Sequence, residues 1–306
     1  MKNHWRTGWL LVLLPFYAMA QGLTASGDTD GILVSQGPEK ILYFHRKPTS
    51  LEGQYKRADY IHPLYAPDGA VLTEDFPADH PHHRGVFWAW HQLLVNGTKW
   101  GDAWECKGIQ WDVHSLDAQL RDSLLQLRAV TFWKARDPRD TASPPQNLLR
   151  ETTLVTIHPR VRNYRILDFE IALTALVPGL RLGGSEDAKG YGGFSVRMRL
   201  PEDIRFESAG GPVTPEELAV PAASWMDISG SLGVGGAPAG ILIVSLNAWD
   251  QAKTRWILRG QGSMQNPVFP GRQAVDVPVS SPLVLRYRLV VYGGTLPPST
   301  REALVR

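Results

Sequence analysis

The sequence predicts an all-β protein, a large antiparallel β-sandwich with few and short helices. Three observations carry that expectation. First, Leu167, Phe169, Ile171, Leu173 and Ala175 alternate with Asp168, Glu170, Ala172 and Thr174. Leu283, Leu285, Tyr287, Leu289 and Val291 likewise alternate with Val284, Arg286, Arg288 and Val290. A period of two places each set on one face of a strand. Second, segments rich in glycine and proline separate such runs: three prolines in 137–147, five glycines in 183–193 and four in 232–240. Strand, tight turn, strand is the rhythm of antiparallel sheets. Third, helical periodicity is scarce. Residues 214–218 offer one turn at most, and residues 299–305 a short terminal helix with Ser299 as N-cap and Glu302 three residues on.

The remaining elements follow in order. Residues 40–45, 85–93, 124–133 and 193–200 read as strands, and Thr153, Val155 and Ile157 give a shorter alternation. Residues 241–246 form an apolar, partly β-branched run broken only by Ser245, as expected of a central strand. Asn96-Gly97-Thr98 matches a glycosylation sequon but reads as a turn. With no repeat, heptad or low-complexity linker in view, residues 21–306 are expected to form a single sandwich domain.

Residues 1–20 read as a signal peptide. Lys2, His4 and Arg6 give a cationic start, residues 8–17 are an apolar core, and Ala18-Met19-Ala20 is a small-x-small cleavage site. That core is shorter than the roughly 20 apolar residues a spanning helix needs, so export to the periplasm is expected, with no membrane segment after cleavage. The whole chain has 32 basic and 30 acidic residues; the leader holds two basic and no acidic ones, leaving 30 against 30. A neutral mature chain has no electrostatic basis for holding nucleic acid. Cys106 is the single cysteine, so no internal disulfide forms. Beside Glu105 it reads as a poor nucleophile, with no evident electropositive setting.

Chemistry concentrates in residues 59–108. Five of the nine histidines (His62, His80, His82, His83, His91) and four of the eleven tryptophans (Trp88, Trp90, Trp100, Trp104) lie there. Imidazole exchanges protons near neutral pH and is a common ligand of divalent metals. His80, His82, His83, Arg84 and Lys189 are therefore the candidate catalytic residues. His80, His82 and His83 are also the candidate ligands of a divalent zinc, manganese or calcium ion, although no His-Glu-x-x-His spacing is present. In an extended segment His80 and His82 would share one face and His83 the other. Indole rings either fill a sandwich core or serve as a flat floor for a pyranose, whose hydroxyls would meet polar side chains at the rim. His62, Tyr65, Trp88, Trp90, His91, Trp104, Glu105 and Tyr191 are the candidate substrate-binding residues. Lys189 and Tyr191 sit in a glycine-rich loop that lacks the spacing of a phosphate-binding loop, so no nucleotide cofactor is expected. The Gly262-Ser263-Met264-Gln265-Asn266-Pro267 stretch is loop chemistry that could line a rim.

His62-Pro63-Leu64-Tyr65, Pro67-Asp68-Gly69, Asp75-Phe76-Pro77, Asp79-His80-Pro81-His82-His83-Arg84-Gly85, Trp88 and Lys189-Gly190-Tyr191-Gly192-Gly193 resemble an exported bacterial family labelled "methane oxygenase PmoA-like". The resemblance covers most of the mature chain. It implies a β-sandwich of the supersandwich kind used by aldose epimerases, and a genomic association with sugar oxidoreductases and isomerases in polysaccharide-degrading bacteria. It does not imply methane oxidation, because the subunit sharing that name is an integral membrane protein. Two functions follow as expectations. One is a periplasmic carbohydrate-active hydrolase or lyase acting on glycosides or oxidised keto sugars. The other is a non-catalytic carbohydrate-binding protein. The partner in either case is a small molecule or oligosaccharide.

Overall fold

A computed structural model describes residues 22–140, 142–247 and 254–305. The expected signal peptide lies outside these residues.

Nearly all regular structure is antiparallel sheet. The largest sheet has nine strands in the order Ile109–Arg121, Leu124–Ala135, Gln146–Ile157, Tyr164–Ala175, Leu283–Gly293, Ala239–Ser245, Trp225–Gly230, Arg205–Ser208 and Gly211–Pro212. A six-stranded sheet faces it, ordered Leu23–Gly27, Gly31–Gln36, Glu39–His45, Tyr60–Leu64, Val86–Ala89 and Gly193–Val196. Aromatic side chains knit the two: Phe194 stacks on Tyr287 with centroids 4.5 Å apart, and Trp88 meets Phe169 edge-on at 6.5 Å. The fold is an all-β sandwich. Smaller sheets flank it, one of them formed by Val275–Asp276, Leu180–Gly183, Gln92–Val95 and Thr98–Gly101.

The alternations behave as their period requires. In Tyr164–Ala175 every second residue from Arg165 to Ala175 is buried, and in Ala239–Ser245 all seven are. Both faces of the second strand are covered: Ala239, Ile241 and Ile243 pack into the main core, and Leu242 and Val244 into a second cluster with Trp225, Leu296 and Leu304. Asn96 and Gly97, at φ 49° and 80°, form the two-residue turn between Gln92–Val95 and Thr98–Gly101, the left-handed geometry a tight hairpin demands.

Two expectations need correction, and one strand was not expected. Residues 85–93 are two strands in two sheets, Val86–Ala89 and Gln92–Val95, because the chain turns out of the first at Trp90 and His91. Ile109–Arg121, the longest strand, escaped notice because a register shift between Val113 and Ser115 interrupts its alternation. The terminal helix spans Pro298–Leu304 with Pro297 at its N-cap and no side-chain cap. Pro298 supplies the preset φ and lacks a donor needing a cap, so Ser299 is not used as one. Among the described residues no helix is long and apolar enough to cross a membrane.

Candidate functional site

The histidine segment is a turn, not an extended strand. The His83 amide donates to the His80 carbonyl at 2.9 Å. Residues three apart therefore come together: the His80 and His83 rings stack in parallel with centroids 4.7 Å apart. His82 stands perpendicular to both, at 5.7 and 4.5 Å. The expectation that His80 pairs with His82 on one face is thus replaced by a three-ring cluster.

Two anchors hold this turn. Asp79 accepts both terminal nitrogens of the buried Arg197 guanidinium at 2.8 and 2.7 Å, the Ser263 amide at 2.8 Å and His80 Nδ1 at 2.7 Å. Partial burial pushes the Asp79 pKa up, but Arg197, His80 and Ser263 outweigh it and hold the carboxyl well below its ordinary value. Gly85 ends the turn at φ +51°, where a Cβ would stand 2.0 Å from the Ile61 carbonyl oxygen. Only glycine fits there.

The turn forms one wall of an open cavity of about 440 Å³. His80, His82 and His83 face Trp104 and Glu105 from the loop after Thr98–Gly101, and Lys189 and Tyr191 from the glycine-rich loop. The far rim, with Arg259, Ser263 and Met264, comes from the segment after Thr254–Ile257. Asp102 shapes the second wall by accepting the Glu105 amide at 2.9 Å and His91 Nδ1 at 3.0 Å. Asp187 shapes the third by accepting the Ser185 hydroxyl at 2.6 Å and the Lys189 amide at 3.0 Å.

Burial keeps the His82 and His83 imidazoles neutral. Burial lowers the His82 pKa to about 4; Glu105 pulls it upward, while His80, Arg57 and His91 push it down. The His83 pKa is held well below its ordinary value, chiefly through burial and then through His82 and His80, and its Nδ1 is enclosed without a hydrogen bond. His82 Nε2 sits 3.7 Å from Glu105 Oε1. An imidazole that takes up a proton there gains a carboxylate counter-charge at once. Burial, then Asp187, Glu105 and Asp102, raise the Tyr191 hydroxyl to about 12, leaving it a proton-bearing donor.

Seven expected residues therefore converge: His80, His82, His83, Trp104, Glu105, Lys189 and Tyr191. His91 lies behind them, stacked on Trp104 at 5.5 Å and edge-on to Tyr191 at 4.9 Å. The others go elsewhere. Arg84 is fully enclosed, bonded to Asp75, Thr49, the Tyr55 carbonyl and the Tyr60 hydroxyl, and lies 3.6 Å from the Phe76 ring centroid. It ties strands together and is closed off from solvent. Trp88 and Trp90 are 2% and 0% exposed, so neither offers a sugar platform. The Trp88 indole donates to Glu151 Oε1 at 2.7 Å and the Trp90 indole to the Phe269 carbonyl at 2.9 Å. His62 bonds Thr73 at 3.0 Å, and Tyr65 lines a different cavity beside Glu39 and Asp68.

The expected metal set is not assembled. Among the described residues no three His, Cys, Asp or Glu side chains are grouped to hold an ion. Parallel stacking presents the faces of His80 and His83 to each other, not their lone pairs, and His80 Nδ1 is engaged by Asp79.

Sequence reasoning missed Arg259 and Arg197, and it noticed Asp79 without its role as the anchor of the turn, because its partner Arg197 is distant in the chain. It also missed the setting of Cys106, whose sulfur lies 3.5 Å from the buried Arg57 guanidinium, an electropositive neighbour 49 residues away.

Over residues 33–306 the chain matches the Family of unknown function (DUF6807), and it belongs to that family. No curated protein matches it.

Proposed function

We propose that this protein is an exported enzyme that processes glycosides or oxidised sugars by histidine acid–base chemistry in the cavity around His82. The observation that carries the reading is a neutral imidazole, His82, placed 3.7 Å from Glu105 on a wall shared with Lys189 and Tyr191. A general base must be unprotonated at working pH and must be stabilised once protonated; burial supplies the first condition and Glu105 the second. The resemblance of residues 62–85 to the PmoA-like exported proteins supports a sugar substrate in the periplasm.

On a keto sugar the steps balance without an added oxidant or reductant. His82 removes the proton from the carbon next to the carbonyl. The C–H electron pair moves into an enolate, whose oxygen is stabilised by the Lys189 ammonium or the Tyr191 hydroxyl. The carbonyl re-forms, a carbon–carbon double bond appears, and the bond to the aglycone oxygen breaks. The proton on His82 passes to that oxygen.

The test is a proton NMR time course of the purified mature protein with a mixture of glucosides and 3-keto-glucosides, with and without chelator. The expected result is new sugar signals that survive chelator and are lost in His82→Ala. A spectrum in which sugar resonances broaden but no new ones arise would replace the enzyme by a carbohydrate-binding protein.

A further inference from the structure

A second cavity of about 470 Å³ opens on the other side of Lys189. Lys189 lines both cavities. The second is walled by the glycine-rich loop and by the segment after Asn266–Pro267, and the two are joined directly. The Gly184 amide donates to the Gly271 carbonyl at 2.8 Å, and the Phe269 amide to the Gly192 carbonyl at 3.1 Å. At Gly190, where φ is +61°, a Cβ would approach the Arg272 amide nitrogen to 2.9 Å. The backbones thus meet too closely for a side chain to separate them, and the cavity is built into the fold.

Its lining has one sign of charge. Lys189, Arg255 and Arg272 contribute to it, and no aspartate or glutamate does. Among the described residues neither Arg255 nor Arg272 forms an ion pair, and both are exposed. Lys189 forms one ion pair, with Glu217 at 3.7 Å, whose side chain is 84% exposed, and Asp187 lies near enough to act on it electrostatically. In a mature chain with 30 basic and 30 acidic residues, three cations around one hollow are a local concentration that would favour an anion. Phe269 and Pro270 give the same hollow an apolar wall. An aromatic and aliphatic wall beside guanidinium groups suits a sugar ring that carries a negative charge, since Arg pairs with planar carboxylates and with sulfate oxygens through paired N–H donors.

We infer that the substrate is an acidic saccharide, whose carboxylate- or sulfate-bearing unit occupies this second cavity while the adjoining unit lies against His82. The inference rests on the enzyme reading for the second half of that statement only. Lys189, lining both hollows, would lie at the linkage between the two units.

The experiment is calorimetric titration with three probes of matched linkage: a uronic-acid disaccharide, a sulfated disaccharide and the neutral disaccharide. Each is run at low and high salt on the wild type, on the Arg255→Gln/Arg272→Gln double variant and on His82→Asn. Both arginines are exposed, and thermal melting checks that the variants are folded. The expected result is tenfold or greater preference of the wild type for an acidic probe over the neutral one. That preference should shrink with salt, vanish in the double variant and persist in His82→Asn. Whichever acidic probe binds more tightly identifies the carboxylate or the sulfate as the group recognised. Equal binding of neutral and acidic probes, or a preference that survives loss of both arginines, overturns the inference. If neutral sugars are processed while the arginine variants change nothing, the enzyme reading stands alone. If an acidic sugar is held through the arginines and never turned over, the inference stands and the enzyme reading falls. If none of the probes binds, the inference falls.

Discussion

Asp79 and Arg197, 118 residues apart in the chain, meet through two parallel hydrogen bonds of 2.8 and 2.7 Å, and Arg197 reaches Glu74 at 2.7 Å with its remaining nitrogen. This fork fixes the start of the histidine turn to the end of the strand Gly193–Val196. Arg197 is 3% exposed, so removing it leaves two carboxylates without their counter-charge. Arg197→Leu should cost about 3 kcal/mol, toward the low end for breaking a buried pair because Asp79 is partly solvated. Urea unfolding measures the loss. Arg197→Lys should recover little of it, since an ammonium cannot satisfy both acids at this geometry.

Glu105→Gln should separate position from charge at His82. Glu105 raises the His82 pKa against burial, so the amide lets it fall below its present value of about 4. The acid limb of the pH–rate profile should move to lower pH, and turnover should drop by roughly 10–100-fold as the imidazolium loses its counter-charge. Nitrogen NMR of the labelled imidazole reads the pKa without reference to turnover.

Stability should carry two opposed pH slopes. His82 is held to about 4 against 6.5 for an ordinary imidazole. The unfolded chain therefore binds the extra proton between those values, and stability is lost as pH falls through that window. Asp59 works the other way. Burial, and then the adjacent Glu151, push its pKa well above 3.8, so the folded chain holds the proton and stability is lost as pH rises from about 4. Asp59→Asn removes the Asp59 share of that second slope and leaves the share of Glu151, whose pKa burial also raises. It also suits the backbone, since asparagine tolerates the φ of +63° found there. Chemical unfolding of both proteins from pH 5 to 9 should show the wild type losing ground to the variant as pH rises.

Gly85→Ala should be far more damaging than the addition of one methyl group suggests. The new methyl would meet the Ile61 carbonyl at 2.0 Å, and the φ of +51° adds its own strain. Loss of about 3 kcal/mol or more is expected from a clash with rigid backbone. Thermal melting reads it directly.

Much of the architecture was legible because burial and period agree. Leu167 to Ala175 alternates in sequence and is buried residue by residue as the alternation requires. Ile109–Arg121 was illegible because its bulge breaks the pattern that a window detects. At the site, residue type singled out the right neighbourhood: His80, His82, His83, Glu105, Lys189 and Tyr191 share one cavity. Direction was not readable. The His80–His83 turn depends on Asp79 meeting Arg197 and Ser263, contacts made by parts of the chain too distant for local spacing to reveal. Arg84 shows the converse error. Its place among histidines suggested chemistry, but all three of its guanidinium nitrogens are engaged, by Asp75, Thr49, Tyr55 and Tyr60.

The strand Leu283–Gly293 lies in the interior of the nine-stranded sheet, between Tyr164–Ala175 and Ala239–Ser245. The last strand of the chain is thus the seam that joins the two halves of the sheet. Until it is in place, Tyr164–Ala175 and Ala239–Ser245 each present an open edge, the template on which foreign strands add. A chain cut short before Leu283 would be left with two adhesive edges, so proteolysis that removes Leu283–Gly293 should produce aggregates in place of a trimmed, working protein. Assembly of this sandwich is all-or-nothing with respect to length. A chain still emerging from a ribosome or a pore cannot close the sheet early, and the completed molecule is the first species without those two edges.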